Sequence, residues 1–184
     1  TEGLVIAADK EITLDLNGKT ISLEDASGKA SALITNKGNL TIDDSIGGGK
    51  LSFITTTPGG TSYASNTISN NGVLTIKAGT IENLSDGPAC YALDNYAGST
   101  ATIEGGKLYA EKTCVRIFNW SATNATLNVI GGEIVANVGY GINVNMGNTP
   151  DVTLNISGGS VSTIANSYNL AVYVIVNTGS DAYT

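Results

Sequence analysis

Acidic side chains are the residues of this sequence best suited to acid–base chemistry. Asp43 and Asp44 are adjacent, and four of the seven glutamates lie in the later repeats: Glu82, Glu104, Glu111 and Glu133. Hydrolysis of a glycosidic bond needs two carboxyl groups about 5–9 Å apart. Neighbouring residues on a strand point to opposite sides, so Asp43 and Asp44 do not form such a pair, and no other pair is evident. We expect the corner that contains them to bind a cation weakly at most.

Other catalytic groups are scarce. The sequence contains no histidine, so the commonest general base and the commonest metal ligand are missing and a Ser-His-Asp triad is excluded. Arg116 is the sole arginine. The two cysteines, Cys90 and Cys114, are too few for a disulfide framework and cannot complete a zinc site without histidine. We therefore predict that the protein is not an enzyme and has neither a metal site nor a cofactor.

A repeated phrase defines the elements that would position these residues. "LTIKAGTIEN" at 74–83 returns downstream as "ATIEGGKLYA", "LNVIGGEIVA" and "LNISGGSVST". Each period contains three short segments in which apolar and polar residues alternate, which is typical of half-buried strands. No stretch has the 3.6-residue periodicity of a helix. The phrases align on glycines that recur every 26 to 31 residues: Gly18, Gly49, Gly79, Gly106, Gly132 and Gly159.

Three strands repeated in the same order predict an all-β fold with little or no helix. The specific prediction is a right-handed parallel β-helix, or β-solenoid, of about six coils with three strands each, in which stacked coils bury a continuous core. The glycines mark a corner that needs a positive φ or close packing. A β-sandwich is the alternative, although its strands need not repeat the same residue types. We assign residues 1–184 to one domain and expect it to be a fragment of a longer chain.

The predicted register also identifies an outward-facing surface. The third strand of each coil ends in asparagine, and if that side chain points inward, the residues on either side of it point outward. Four of these outward residues would form a contiguous apolar patch, with Tyr96 and Val176 at its ends: Phe118, Trp120, Val144 and Met146. Exposed apolar patches usually mark an interface. The alternatives are a contact with another chain, a platform for stacking sugars, a patch covered by a loop, or an error in the inward–outward assignment.

The same register places three other pairs of residues on adjacent coils. Arg116 would lie near Asp94, which favours an ion pair over a catalytic base. Lys107 and Glu133 would be surface neighbours. Cys90 and Cys114 would be stacked, and we favour two reduced thiols because parallel in-register strands strain a disulfide, although the strand spacing permits one.

The repeats resemble those of a known superfamily. "ITLDLNGKTI" at 12–21, "GNLTIDDSIGGGKL" at 38–51 and the later GG-x-[ILV] coils resemble the right-handed parallel β-helix proteins of the pectin-lyase-like superfamily. They are most similar to repeats in bacteriophage fibre and tailspike proteins and in surface proteins of gut bacteria. The resemblance implies the fold but not one activity, because the superfamily includes lyases, hydrolases, epimerases, adhesins and inert shafts.

Composition narrows the choice of partners. The net charge is −7, and the nine basic residues do not cluster, so we predict no nucleic-acid binding. No apolar run reaches the length of about 18 residues expected of a membrane span, so we predict no membrane insertion. The preferred hypothesis is a structural or adhesive module, such as a bacteriophage fibre, spike or capsid-attached appendage. It would lie on a virion, outside the cell or on a cell surface.

The partners expected from this hypothesis are other protein chains, as in a homotrimer or among virion neighbours, or cell-surface glycans. A bacterial cell-surface adhesin is the first alternative. The second alternative is a polysaccharide lyase or glycoside hydrolase with the same fold.

Overall fold

The structure, a computed structural model, describes residues 3–26, 31–56, 64–147, 151–165 and 170–176. In these ranges all regular secondary structure is β-strand. The strands are β1 (Leu4–Ile6), β2 (Glu11–Asp15), β3 (Thr20–Asp25), β4 (Ala32–Asn36), β5 (Asn39–Asp43), β6 (Lys50–Thr55), β7 (Ser65–Asn70), β8 (Val73–Ile76), β9 (Thr80–Asn83), β10 (Cys90–Tyr96), β11 (Thr100–Ile103), β12 (Lys107–Ala110), β13 (Val115–Asn119), β14 (Ala125–Val129), β15 (Glu133–Ala136), β16 (Tyr140–Met146), β17 (Val152–Ile156), β18 (Ser160–Thr163) and β19 (Leu170–Val176).

The strands form three parallel sheets. Sheet A has the order β1-β4-β7-β10-β13-β16-β19, sheet B the order β2-β5-β8-β11-β14-β17, and sheet C the order β3-β6-β9-β12-β15-β18. Every strand pairs with the strand three places along the chain, which is the equivalent strand of the adjacent coil. This topology confirms a parallel β-solenoid of about six coils and excludes the antiparallel β-sandwich.

The core consists of columns of equivalent residues from successive coils. In sheet B, Leu40, Leu74 and Ala101 are in register, and each is fully buried. Sheet C contributes the column that includes Ile81 and Leu108. Alternation along each strand turns every second residue inward, and stacking then joins the coils into one apolar cluster.

Polar residues on the outer surfaces of sheets B and C are stacked in register from coil to coil. Thr75, Thr102 and Asn128 are in register on sheet B, and Asn128 Nδ2 donates to Thr102 Oγ1 at 3.4 Å. On sheet C, Lys107 and Glu133 are paired, with Nζ and Oε2 3.8 Å apart. The predicted Lys107–Glu133 neighbours are confirmed, and the exposure of this ion pair limits its contribution to about 1 kcal/mol or less.

The corner glycines behave as the repeat predicts. Gly106 has a φ of 73°, and a Cβ atom on it would lie 2.5 Å from the carbonyl oxygen of Gly79 in the preceding coil. Only glycine allows both this backbone conformation and this approach. Gly49 differs from the other aligned glycines, because in its wider corner the positive φ values fall on Gly47 and Gly48.

Asparagines at the end of the sheet A strands tie one coil to the next. Asn36 Nδ2 donates to Asn70 Oδ1, and Asn70 Nδ2 donates to Asn95 Oδ1, both at 2.8 Å. Each also donates to a backbone carbonyl in sheet B of the following coil, as Asn70 does to Thr100 O at 3.1 Å. These side chains are fully buried, which confirms the inward orientation predicted for them.

The register of sheet A then shifts relative to the sequence prediction. Asn95 pairs with Ile117, so Asn119 lies two positions further along its strand. In the next coil Asn119 pairs with Met146 instead of Asn145. A shift of two residues leaves side chains on the same face, whereas a shift of one moves them to the other face. The predicted orientations are therefore retained in β13 and reversed in β16.

Candidate binding site

Three aromatic residues lie together on the outer surface of sheet A, and we call them the aromatic strip: Tyr96, Phe118 and Trp120. The Tyr96 and Phe118 ring centroids are 6.1 Å apart, with planes at 77°. The Phe118 and Trp120 centroids are 6.2 Å apart, with planes at only 26°. Trp120 is 58% exposed. The strip therefore presents a preformed aromatic surface to solvent.

The strands position the strip through their pairing. Tyr96 in β10 is directly opposite Phe118 in β13. Asn95 and Asn119 point inward and are fully buried, so alternation turns their neighbours outward. Asn119 also caps the turn that follows, because its Oδ1 accepts from Ser121 N at 3.1 Å. This turn holds Trp120 beside the end of β13.

The other two residues of the predicted patch lie elsewhere. Val144 is buried in the core, and Met146 packs against that core, so the outward orientation predicted for them is wrong. The cause is the one-residue shift of β16, which brings Asn145 outward opposite Phe118. Asn145 Oδ1 accepts from Trp120 Nε1 at 3.2 Å. An amide therefore takes the place that the sequence assigned to apolar side chains, and it orients the indole ring.

The aromatic strip forms one side of a shallow pocket of about 320 Å³. Asn71, Ala97 and Ser121 complete the lining. Asn71 is exposed, and the Ser121 hydroxyl is 2.9 Å from that of Thr123. The pocket thus combines aromatic faces with amide and hydroxyl groups, and none of its lining residues carries a formal charge.

A buried ion pair lies next to the strip. Arg116 binds both carboxylate oxygens of Asp94, with Nε–Oδ1 at 2.8 Å and Nη2–Oδ2 at 2.6 Å. The guanidinium carbon is 4.4 Å from the ring centroid of Tyr91 and 4.6 Å from that of Phe118. This confirms the predicted Arg116–Asp94 pair. The two rings cover the guanidinium, so the pair anchors the aromatic residues and leaves no exposed cation there.

Burial and the ion pair together shift the pKa values of Arg116, Tyr91 and Tyr96. Burial disfavours the charged guanidinium, but the hydrogen bonds and negative charge of Asp94 outweigh burial and raise the pKa of Arg116 above its usual range. Burial is the main cause that raises the pKa of Tyr91 and of Tyr96; the charge of Asp94 adds to this effect and the charge of Arg116 partly offsets it. Both phenols therefore stay neutral and Arg116 stays charged at physiological pH.

Two buried amide oxygens on this side of the solenoid have no hydrogen-bond partner among the described residues: those of Asn66 and Asn143. Asn66 donates from Nδ2 to Asp94 Oδ2 at 3.1 Å, and Asn143 pairs with Arg116. Most buried polar groups in proteins are satisfied. Two acceptor oxygens near the ion pair of sheet A therefore receive no hydrogen bond from the described part of the chain.

Tyr91 was absent from the predicted patch because a bulge determines its orientation. Cys114 O accepts from two successive amides, Ala92 N at 2.9 Å and Leu93 N at 3.2 Å. One residue of β10 is thus unpaired, and the alternation of inward and outward side chains is interrupted at that point. The only signal in the sequence is the run of aromatic and apolar residues in "CYALDNY", which does not locate a bulge.

The cysteines are both free and buried, but they are not stacked on each other as predicted. Cys90 pairs with Ser65, whereas Cys114 lies beside Ala92 because of the register shift in sheet A. Burial raises the pKa of both thiols. They are therefore protonated and poorly nucleophilic at neutral pH.

Backbone N–H groups bind the carboxylates of the acidic corner, Asp43 and Asp44. Asp44 is buried, and its carboxylate accepts from Gly18 N at 2.7 Å and from Gly49 N at 2.6 Å. Asp43 Oδ1 accepts from Asp44 N at 2.8 Å. Asp44 therefore acts as a cap that joins two coils. In the described ranges no three His, Cys, Asp or Glu side chains are grouped closely enough to hold a metal ion.

Comparisons of the chain with protein-family models, curated proteins and solved structures find no match. They give no support to the pectin-lyase-like or bacteriophage part of the resemblance, while the solenoid architecture follows from the coordinates. Among the described residues, no helix has the length and apolar character needed to cross a membrane.

Proposed function

We propose that the protein is a structural or adhesive β-solenoid module that binds its partner through the aromatic strip. The observation that carries this proposal is the exposure of Trp120 at the end of a sheet A strand, beside Phe118 and Tyr96. Aromatic residues are enriched where proteins bind, because they bury a large area at a low entropic cost. The partners are other protein chains or cell-surface glycans.

The assembly proposed for this module is a bacteriophage fibre, spike or capsid-attached appendage. Stacked coils make a stiff shaft with repeating outer surfaces, which suits such an appendage. A bacterial cell-surface adhesin, the alternative, would use the same stiff shaft and repeating outer surfaces. Immunogold labelling of virions and of bacterial cells with antibodies to the chain distinguishes the two locations.

The aromatic strip is tested by comparing a Phe118→Ser/Trp120→Ser variant with a Val73→Ser/Ile130→Ser variant. The control pair removes two exposed apolar residues in and next to sheet B. We expect wild type and control to bind a glycan array or to self-associate in light scattering, and the strip variant to do neither. A wild-type protein that is monomeric and binds no glycan would refute the proposal. Depolymerisation of a polysaccharide, abolished by an Asp or Glu substitution, would establish an enzyme instead.

A further inference from the structure

The pocket at the aromatic strip is uncharged. Its lining contributes aromatic rings, an amide, a methyl group and a hydroxyl. The guanidinium of Arg116 lies against Phe118, but it is already bound at both ends by Asp94 and has a side-chain exposure of only 13%. Drawing it toward a ligand carboxylate would leave the buried Asp94 carboxylate without its counter-charge, which is strongly unfavourable. The pocket therefore disfavours acidic ligands.

The apolar surface around the pocket is small. Val144 and Met146 turn toward the core and do not extend it. The outward neighbour of Phe118 in the next coil is Asn145. A stable protein interface needs about 800 Å² from each partner, with an apolar centre. A pocket of about 320 Å³ is instead at the lower end of the range for small-ligand sites, which is about 300–1,000 Å³.

The polar groups are arranged around the aromatic ones. Trp120 exposes its ring, and the hydrogen bond to Asn145 fixes the orientation of that ring. Asn71 and Ser121 supply an amide and a hydroxyl at the rim. A sugar ring has an apolar C–H face that can stack on indole and hydroxyl groups at its edge that can bond to such a rim. Little side-chain entropy is lost on binding, because the rings are already ordered.

From these features we infer that the aromatic strip binds a neutral glycan, with a sugar ring stacked on Trp120 and hydrogen bonds to Asn71 and Ser121. This inference rests on the proposed adhesive function and specifies its ligand. Uncharged hexose, pentose or N-acetylhexosamine units fit the lining, whereas uronic acids and sulfated sugars do not.

The chain provides its own probe for this site. Trp120 is the only tryptophan, so its fluorescence, excited at wavelengths that the eight tyrosines do not absorb, reports on the aromatic strip. We would titrate the protein with neutral hexasaccharides of glucose, mannose, xylose and N-acetylglucosamine, and with hexagalacturonate. The expected result is a saturable change in emission with at least one neutral oligosaccharide and at least about tenfold weaker binding of the acidic one.

Variants then assign the signal to the strip. Phe118→Ala keeps the fluorophore and should weaken binding about tenfold, because one aromatic contact is lost. Asn71→Ala should weaken it by a smaller factor. Ile130→Ala, at an exposed position next to sheet B, should leave affinity unchanged. Equal losses in all three variants would overturn the inference.

The outcomes separate this inference from the proposed function. A response to hexagalacturonate alone would overturn the preference for neutral sugars. A response that depends only on protein concentration, together with self-association in light scattering, would overturn glycan binding and retain an adhesive surface for protein. No response to any sugar, from a protein that stays monomeric, would overturn both.

Discussion

Among single residues, Asp44 is a candidate for acid–base chemistry that has a structural role instead. Its two carboxylate oxygens accept backbone N–H groups from Gly18 and Gly49, which belong to corners of two successive coils. It is almost fully buried, so these charge-assisted bonds are shielded from water and are strong. Asp44 therefore holds the corners of two successive coils together.

We predict that Asp44→Ala lowers the free energy of unfolding by about 2–3 kcal/mol, because two buried amides lose a charged acceptor. Urea unfolding followed by circular dichroism measures this change. Asp44→Asn is the matched control, since it keeps the shape and one acceptor oxygen and should lose less. An alanine variant within about 0.5 kcal/mol of wild type would contradict this role.

Among the structural elements, the glycine corner between sheets B and C fixes the stacking of coils. Two separate demands act at Gly106, a positive φ of 73° and a carbonyl oxygen 2.5 Å from where its Cβ would be. Gly47 has a φ of 87° but nothing within 4 Å of its Cβ position. An alanine at position 47 therefore meets only backbone strain, whereas an alanine at position 106 meets both backbone strain and a steric clash.

Both Gly47→Ala and Gly106→Ala should lose about 1–2 kcal/mol from the left-handed backbone conformation. Gly106→Ala should lose about 1–3 kcal/mol more, because its methyl group collides with backbone of the preceding coil. Denaturant midpoints of the two variants measure the difference. If both variants were equally stable, close packing of the coils at this corner would be disproved.

In the whole molecule, the core is best covered in the middle coils. Ile103, Leu108 and Ile117 are fully buried, whereas Ile156 and Val174, in the last coil that the structure describes, are 48% and 51% exposed. Each coil of a solenoid contacts only its neighbours, so its stability is the sum of local and nearest-neighbour terms. Coils with one neighbour open more readily than coils with two.

Amide hydrogen exchange should follow this gradient. We expect β10–β13 to exchange slowest and β17–β19 to exchange faster by at least about tenfold, because opening the last coil exposes less buried surface. Mass spectrometry of peptic fragments resolves these segments. Equal protection of β13 and β19 would show that the described coils unfold as one cooperative unit.

The regularity of sheets B and C could be predicted from the sequence. The corner glycines set the period, and alternation on either side of them fixes which residues point inward. Lys107 and Glu133 are therefore stacked as predicted. Tyr96, Phe118 and Trp120 were also placed correctly on an outer surface, because the shift at β13 is an even number of residues.

The solenoid, its period and half of the candidate site could thus be predicted from residue types and their spacing. Tertiary structure alone decided the rest of that site, including the burial of Val144, the outward Asn145 and the position of Tyr91. Sheet A lacks the evenly spaced glycine that precedes each strand of sheet C, and asparagine occurs at both inward and outward positions. A shift of one residue reverses a strand's faces, and only the packing of complete coils against each other selects between the two registers.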